Sequence, residues 1–97
     1  MTPFSDEQMR ALRSKIPIDD VIRRLELQAK EVEGYFRFLC PICSERHTAT
    51  NPRTNLARCF RCRANYNPID LVMTVRKVSF LQAVEFLRRQ FKSHLSD

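Results

Sequence analysis

No apolar run in the 97 residues approaches the roughly 20 needed to span a bilayer, so no membrane partner is expected. The opening stretch, MTPFSDEQMR, lacks the basic-then-apolar pattern that directs secretion. The expected compartment is therefore the reducing cytoplasm. Repeats, low-complexity tracts and long linkers are absent as well. So are a nucleophile–base pair, an open metal site and a carboxylate cluster able to hold Mg²⁺, which together argue against an enzyme. What is present is ordinary for a globular chain, with 43% hydrophobic and 29% charged residues, so disorder is not expected. The length suits one domain, residues 1–97, with a small core near the lower limit of what folds unaided.

Three zones follow one another: helical over 5–30, a ribbon over 32–66 and helical again over 68–93. Ser5 with Gln8 forms a capping box that opens DEQMRALRSKI. Pro17 starts a second helix, PIDDVIRRLEL, with Asp19 and Asp20 where the helix dipole favours anions. Ile18, Val21, Ile22 and Leu25 share one face of it. The middle zone has another texture. YFRFLC is aromatic and predicts a strand, while RHTAT and NLARCF flank the turn-forming NPRTN and predict a hairpin. Helix resumes at Asn67 as N-cap with Pro68 in the first position. A second capping box, Ser79 with Gln82, opens FLQAVEFLRRQFK, in which Phe80, Val84, Leu87 and Phe91 recur at helical spacing.

All four cysteines lie in the middle zone. Cys40 and Cys43 form one CxxC and Cys59 and Cys62 another, fifteen residues apart, a spacing that reads as a four-ligand zinc site. Each pair on a tight knuckle turns two sulfurs inward, and a hairpin joins the knuckles so that four thiolates complete a tetrahedral shell around one structural Zn²⁺. Three alternatives stand beside this. A redox CxxC needs a helix start in a βαβ unit. Structural disulfides suit a secreted chain, and iron–sulfur clusters use other spacings. His47 lies close enough in sequence to be weighed as a substitute ligand or as a plain surface residue.

Charge gathers in the same place. Residues 1–34 balance at −1, residues 35–66 at +5 and residues 67–97 at +2. The central excess comes from Arg37, Arg46, Arg53, Arg58, Arg61 and Arg63 against Glu45 alone. Four thiolates with Zn²⁺ carry about −2, so that excess drops to about +3 once metal binds. Arg58, Arg61 and Arg63 accordingly have two readings, as neighbours that stabilise thiolates and as contacts for a partner. Arginines interleaved with Phe36, Phe38, Phe60 and Tyr66 suit a single-stranded nucleic acid, guanidinium groups taking phosphates and rings stacking on bases. Against this, Phe38 and Phe60 suit a core. Strand alternation places Tyr35 and Arg37 on the face opposite Phe36 and Phe38.

The order helix, LCPIC, hairpin, CFRC, PIDLVM, SFLQAVEFL resembles the N-terminal zinc-ribbon domain of bacterial DNA primases. The likeness runs from about Ser14 to Phe91, with IDDVI (Ile18–Ile22) adding to its specificity. It implies an α+β fold, a small antiparallel zinc-ribbon sheet flanked by N- and C-terminal helices. It also implies a module that grips single-stranded DNA template and supports primer initiation by a neighbouring or separate catalytic domain. A primase catalytic domain, a polymerase and a replicative helicase are the protein partners it points to. By position, Arg37 and Arg46 match lysines on either side of the first knuckle, and Arg58 a basic or polar residue before the second. With Arg53, Arg61, Arg63 and Tyr66 they make up the expected nucleic-acid contacts. There are departures. Cys43 stands where the family usually has histidine, which preserves a tetrahedral shell. RANYNP replaces a glycine-rich loop, and RHTAT replaces a lysine–threonine–proline–serine–phenylalanine stretch. No acidic polymerase domain precedes the end at Asp97, so primer synthesis is expected to belong elsewhere. A zinc-stabilised adaptor docking on a polymerase or helicase is the rival reading.

Overall fold

The computed structural model describes residues 4–95, with the side chain of Tyr35 outside the described set. Helix α1 (Asp6–Ser14) begins at the Ser5/Gln8 capping box and turns Met9 and Leu12 inward. Helix α2 (Ile18–Arg24) follows, with Pro17 as its N-cap and Asp19 and Asp20 in its first turn. Strands β1 (Ala29–Val32) and β2 (Tyr35–Phe38) pair as an antiparallel hairpin in which Ala29 faces Phe38 and Val32 faces Tyr35. Strands β3 (Thr48–Asn51), β4 (Leu56–Cys59) and β5 (Ala64–Tyr66) form a second antiparallel sheet in that order. Helices α3 (Pro68–Arg76), α4 (Phe80–Gln90) and α5 (Lys92–Leu95) complete the chain. The fold is α+β, with helices on both sides of the strands in sequence.

The helical reading of 5–30 needs correction at its end. The helix stops at Arg24, and residues 29–32 are strand rather than helix. The stop is a Schellman arrangement. Glu26 takes a left-handed φ of 60° and its N–H reaches the Arg23 carbonyl, while the Leu27 N–H bonds the carbonyl of Ile22. Two residues later the chain is extended and pairs with β2. The β1–β2 turn has positive φ at both Glu33 and Gly34, the geometry whose twist matches a two-residue hairpin.

The two sheets meet at Thr48. Its hydroxyl accepts from the Phe38 N–H at 2.9 Å and donates to the Phe38 carbonyl at 2.6 Å. One side chain thereby satisfies the two backbone groups of β2 that a ladder would have paired, and Thr48 is fully buried. Beneath the sheets lies one apolar cluster. It is built from Leu12, Ile18 and Ile22 of the first helices, Ile16 of the connection between them, Leu71, Val72, Val84 and Leu87 of the later helices, and Phe36, Phe38, Ala57 and Tyr66 of the strands. Of the ring set expected to meet a partner, Phe36, Phe38 and Tyr66 therefore belong to the core.

Candidate metal centre and nucleic-acid interface

Cys40 and Cys59 are buried, and each opens a knuckle. In the first, the Ile42 N–H points to Cys40 Sγ at 3.4 Å and the Ser44 N–H returns to the Cys40 carbonyl at 3.0 Å. In the second, the Cys62 N–H points to Cys59 Sγ at 3.4 Å. The residue after each knuckle is left-handed, Ser44 at φ 60° and Arg63 at φ 56°. Side chains fill positions where glycine costs least. The β3–β4 pairing then sets the spacing, since Thr48 lies opposite Cys59.

The four sulfurs all lie within 4.8 Å of one another. Cys43 and Cys59 are 3.5 Å apart and Cys40 and Cys62 are 3.9 Å apart. A tetrahedron with Zn–S bonds of 2.3 Å has edges of about 3.8 Å, so the quartet fits Zn²⁺. Burial works to raise the Cys59 thiol, but the Cys62 N–H and the neighbouring sulfurs outweigh it and hold the group down at about 7. Hydrogen bonding to Cys43, then burial, pushes Cys62 up to about 12, and burial raises Cys43. Burial and the shared sulfur–sulfur hydrogen bonds thus oppose ionising these thiols together. A divalent cation removes that conflict by holding all four as thiolates. Cys40, Cys43, Cys59 and Cys62 thus form the site of one structural Zn²⁺, whose role is to lock the knuckles. A shell closed by four sulfurs leaves no position for substrate. His47 is not one of the clustered ligands; its ring packs against Phe60 instead.

The arginines separate into distinct situations. Arg37 is half-buried, and its guanidinium donates to the Thr48 carbonyl at 2.9 Å, bracing the junction of the two sheets. Arg46 is exposed just past the first knuckle and reaches Gln28 Oε1 at 2.7 Å. Arg61 pairs with Glu45 at 3.3 Å in the open, a contact worth little. Arg58 donates to Asn65 Oδ1 at 3.1 Å and lies over the Phe60 ring. Arg63 is exposed beside the second knuckle, whereas Arg53 sits in the β3–β4 turn, at the opposite end of the hairpin from the sulfurs. The zinc end therefore gathers Arg46, Arg58, Arg61 and Arg63, and leaves Arg37 and Arg53 outside the group.

Tyr66 is a correction. It keeps only 7% of its surface, and burial, aided by charge on the nearby cysteine sulfurs, pushes its hydroxyl up to about 12. A ring held in the core cannot stack on a base. Phe60 corrects in the other direction, because it is 42% exposed rather than core. The CFRC spacing carried the signal for it: when Cys59 turns its sulfur inward at a knuckle, the next side chain is thrown outward.

Comparison with known proteins bears on the same residues. The family model of the CHC2 zinc finger matches residues 4–97. A DNA primase of Streptomyces coelicolor is 30% identical over 89 residues, which is 90% of this chain and 14% of that protein. The chain thus spans about one-seventh of the length of the curated relative it matches.

Proposed function

This chain belongs to the CHC2 zinc-finger family, and from that premise we propose that it is the template-gripping module of a primase system, binding single-stranded DNA and supporting primer initiation by a catalytic domain beside it or on another molecule in the cytoplasm. The observation that carries the reading is that Arg46, Arg58, Arg61 and Arg63, none of them buried, flank the two knuckles of a closed metal centre along the chain. Zn²⁺, held by Cys40, Cys43, Cys59 and Cys62, supplies rigidity and no reactive position. The chain's own residues do the binding: Arg46 and Arg58 present guanidinium groups to phosphates, and each is held by a neutral amide rather than neutralised by a carboxylate. Among the described residues the cysteine quartet is the one His/Cys/Asp/Glu group of three or more placed to hold a metal. Primer synthesis on this reading falls to the partner domain.

The test uses Arg46→Ala with Arg58→Ala in the zinc-loaded chain, leaving Arg37 intact because it braces the sheets. Fluorescence titration of a labelled single strand at several salt concentrations should show weaker binding. The slope of log K against log salt should flatten by about 0.7 for each phosphate contact removed. Unchanged affinity and slope would place the binding surface elsewhere. One observation favours a second reading: Ile42, on the first knuckle, is 64% exposed, as an apolar anchor for a protein partner would be. A zinc-stabilised adaptor for a polymerase or helicase would lose its partner on Ile42→Asp, with strand binding unaffected.

A further inference from the structure

Four flat or ring-bearing groups lie in a row across the solvent face of the ribbon. The His47 ring packs on Phe60 with centroids 5.1 Å apart and planes inclined at 39°. The Arg58 guanidinium sits 5.6 Å from the centre of the same Phe60 ring. The Asn65 amide oxygen holds that guanidinium at 3.1 Å. Phe60 is steadied on two sides yet remains substantially open. The core does not require it there, since the residue before it already fills the inward position.

A groove of about 550 Å³ runs from Phe60 past Arg58, Leu56 and Asn65 to Asp19 and Glu31. Its two ends carry opposite charge. At the Asp19 end one carboxylate oxygen is buried with no hydrogen-bond partner among the described residues. This polarity sorts the parts of a nucleotide. A phosphate is drawn to the Arg58 rim and repelled by the carboxylates at the far end. A neutral base meets no such repulsion inside the groove and finds a ring face at its mouth.

We propose that Phe60 is the base-stacking residue of this surface, seating one nucleobase of single-stranded DNA on its open face while the backbone runs along the Arg58 side. The inference rests on the strand-binding reading above and deepens it by assigning the ring and the direction in which the base enters. Charge complementarity selects the occupant: the Arg58 guanidinium is held in place by Asn65 beside the Phe60 ring, and that ring accepts any base.

The sequence contains no tryptophan, so Phe60→Trp introduces a single fluorophore at the proposed contact. The zinc-loaded full chain is titrated with a single-stranded oligothymidylate and with an abasic strand of equal length. The indole is expected to be quenched by the first and unaffected by the second. Leu81→Trp on the exposed face of α4 serves as a reporter away from the site and should respond to neither. Phe60→Ala, at a position open enough to keep the fold and its one zinc, should weaken oligothymidylate binding about 10- to 100-fold. The salt slope should stay unchanged, because no phosphate contact is removed. Wild-type affinity in Phe60→Ala, alongside a loss in the Arg46/Arg58 variant, would overturn the stacking assignment and leave strand binding standing. An equal loss for the abasic strand, or equal quenching at both reporters, would overturn it too. If the wild-type chain binds no strand, the underlying reading itself falls.

Discussion

The side-chain amide of Asn55 accepts from the Ile18 N–H at 2.8 Å and donates to the carbonyls of Arg13 and Ile16, each at 2.7 Å. It thereby caps α2 from a distance and ties the α1–α2 connection to the β3–β4 turn. Its own backbone is left-handed, with φ 56°, a conformation asparagine tolerates better than most residues. Asn55→Ala removes the cap, leaves three polar groups without their partner and puts a methyl group on a strained backbone. The expected loss is about 2–4 kcal/mol, read from the urea midpoint with zinc stoichiometry held at one. A loss under about 0.5 kcal/mol would show that the amide clamps nothing. Sequence made NPRTN legible as a turn because turn residues announce themselves locally. It hid the clamp, whose partners lie 37 to 42 residues away. Phe60 and Tyr66 were confused for a related reason, since a ring's burial depends on what packs over it and not on its neighbours in the chain.

Helix stops in this protein are made without glycine. Glu26 closes α2 and Lys77 closes α3, at φ 60° and 55°, and the Val78 N–H reaches back to the Met73 carbonyl as the Leu27 N–H does to Ile22. This explains why the sequence predicts a second helix running on to Leu27 and a helical zone reaching residue 30: the usual punctuation is missing, and AKEV carries a polar pattern that says little about a two-stranded hairpin. The N-terminal ends were easier. Ser5 with Gln8, Asn67 with Asp70 and Ser79 with Gln82 all make reciprocal capping contacts, and such contacts are written within four residues of sequence. The stops offer a clean test. Glu26 is exposed and puts negative charge at the carbonyl end of α2, against the helix dipole. Glu26→Gly relieves both the left-handed strain and that charge. Set against the greater freedom of glycine in the unfolded chain, it should stabilise the protein by about 0.5–1 kcal/mol. Thermal unfolding at fixed zinc checks this, and a lower midpoint would mean that the Glu26 side chain contributes more than its strain costs.

At the scale of the whole molecule the metal and the apolar cluster divide the task of holding the strands. The radius of gyration is 13.0 Å, the value of a compact domain of about 100 residues. Yet the two sides of the fold are fastened differently. Helices α3 and α4 bury Ile69, Leu71, Val72, Ala83, Val84 and Leu87 against the other helices. Strands β3–β5 reach that core mainly through Ala57 and Tyr66, and are otherwise closed by the cysteine quartet. Chelation should therefore release one Zn²⁺, expose four titratable thiols and strip hydrogen-exchange protection from β3–β5 before α3 and α4 lose theirs. The pH dependence has a defined sign. Metal holds four thiolates, so protons compete with it and affinity falls as pH falls. Without metal, hydrogen bonding to Cys43 and burial hold the Cys62 thiol above its ordinary range, so metal uptake at neutral pH must expel its proton. Adding Zn²⁺ to the reduced, metal-free chain in weak buffer should acidify the solution, and lowering the pH of the loaded chain should release metal and protection together. Protection in β3–β5 that survived chelation and acid alike would show that the apolar cluster alone holds the ribbon, and the arginines flanking the knuckles would then owe their position to packing rather than to the metal.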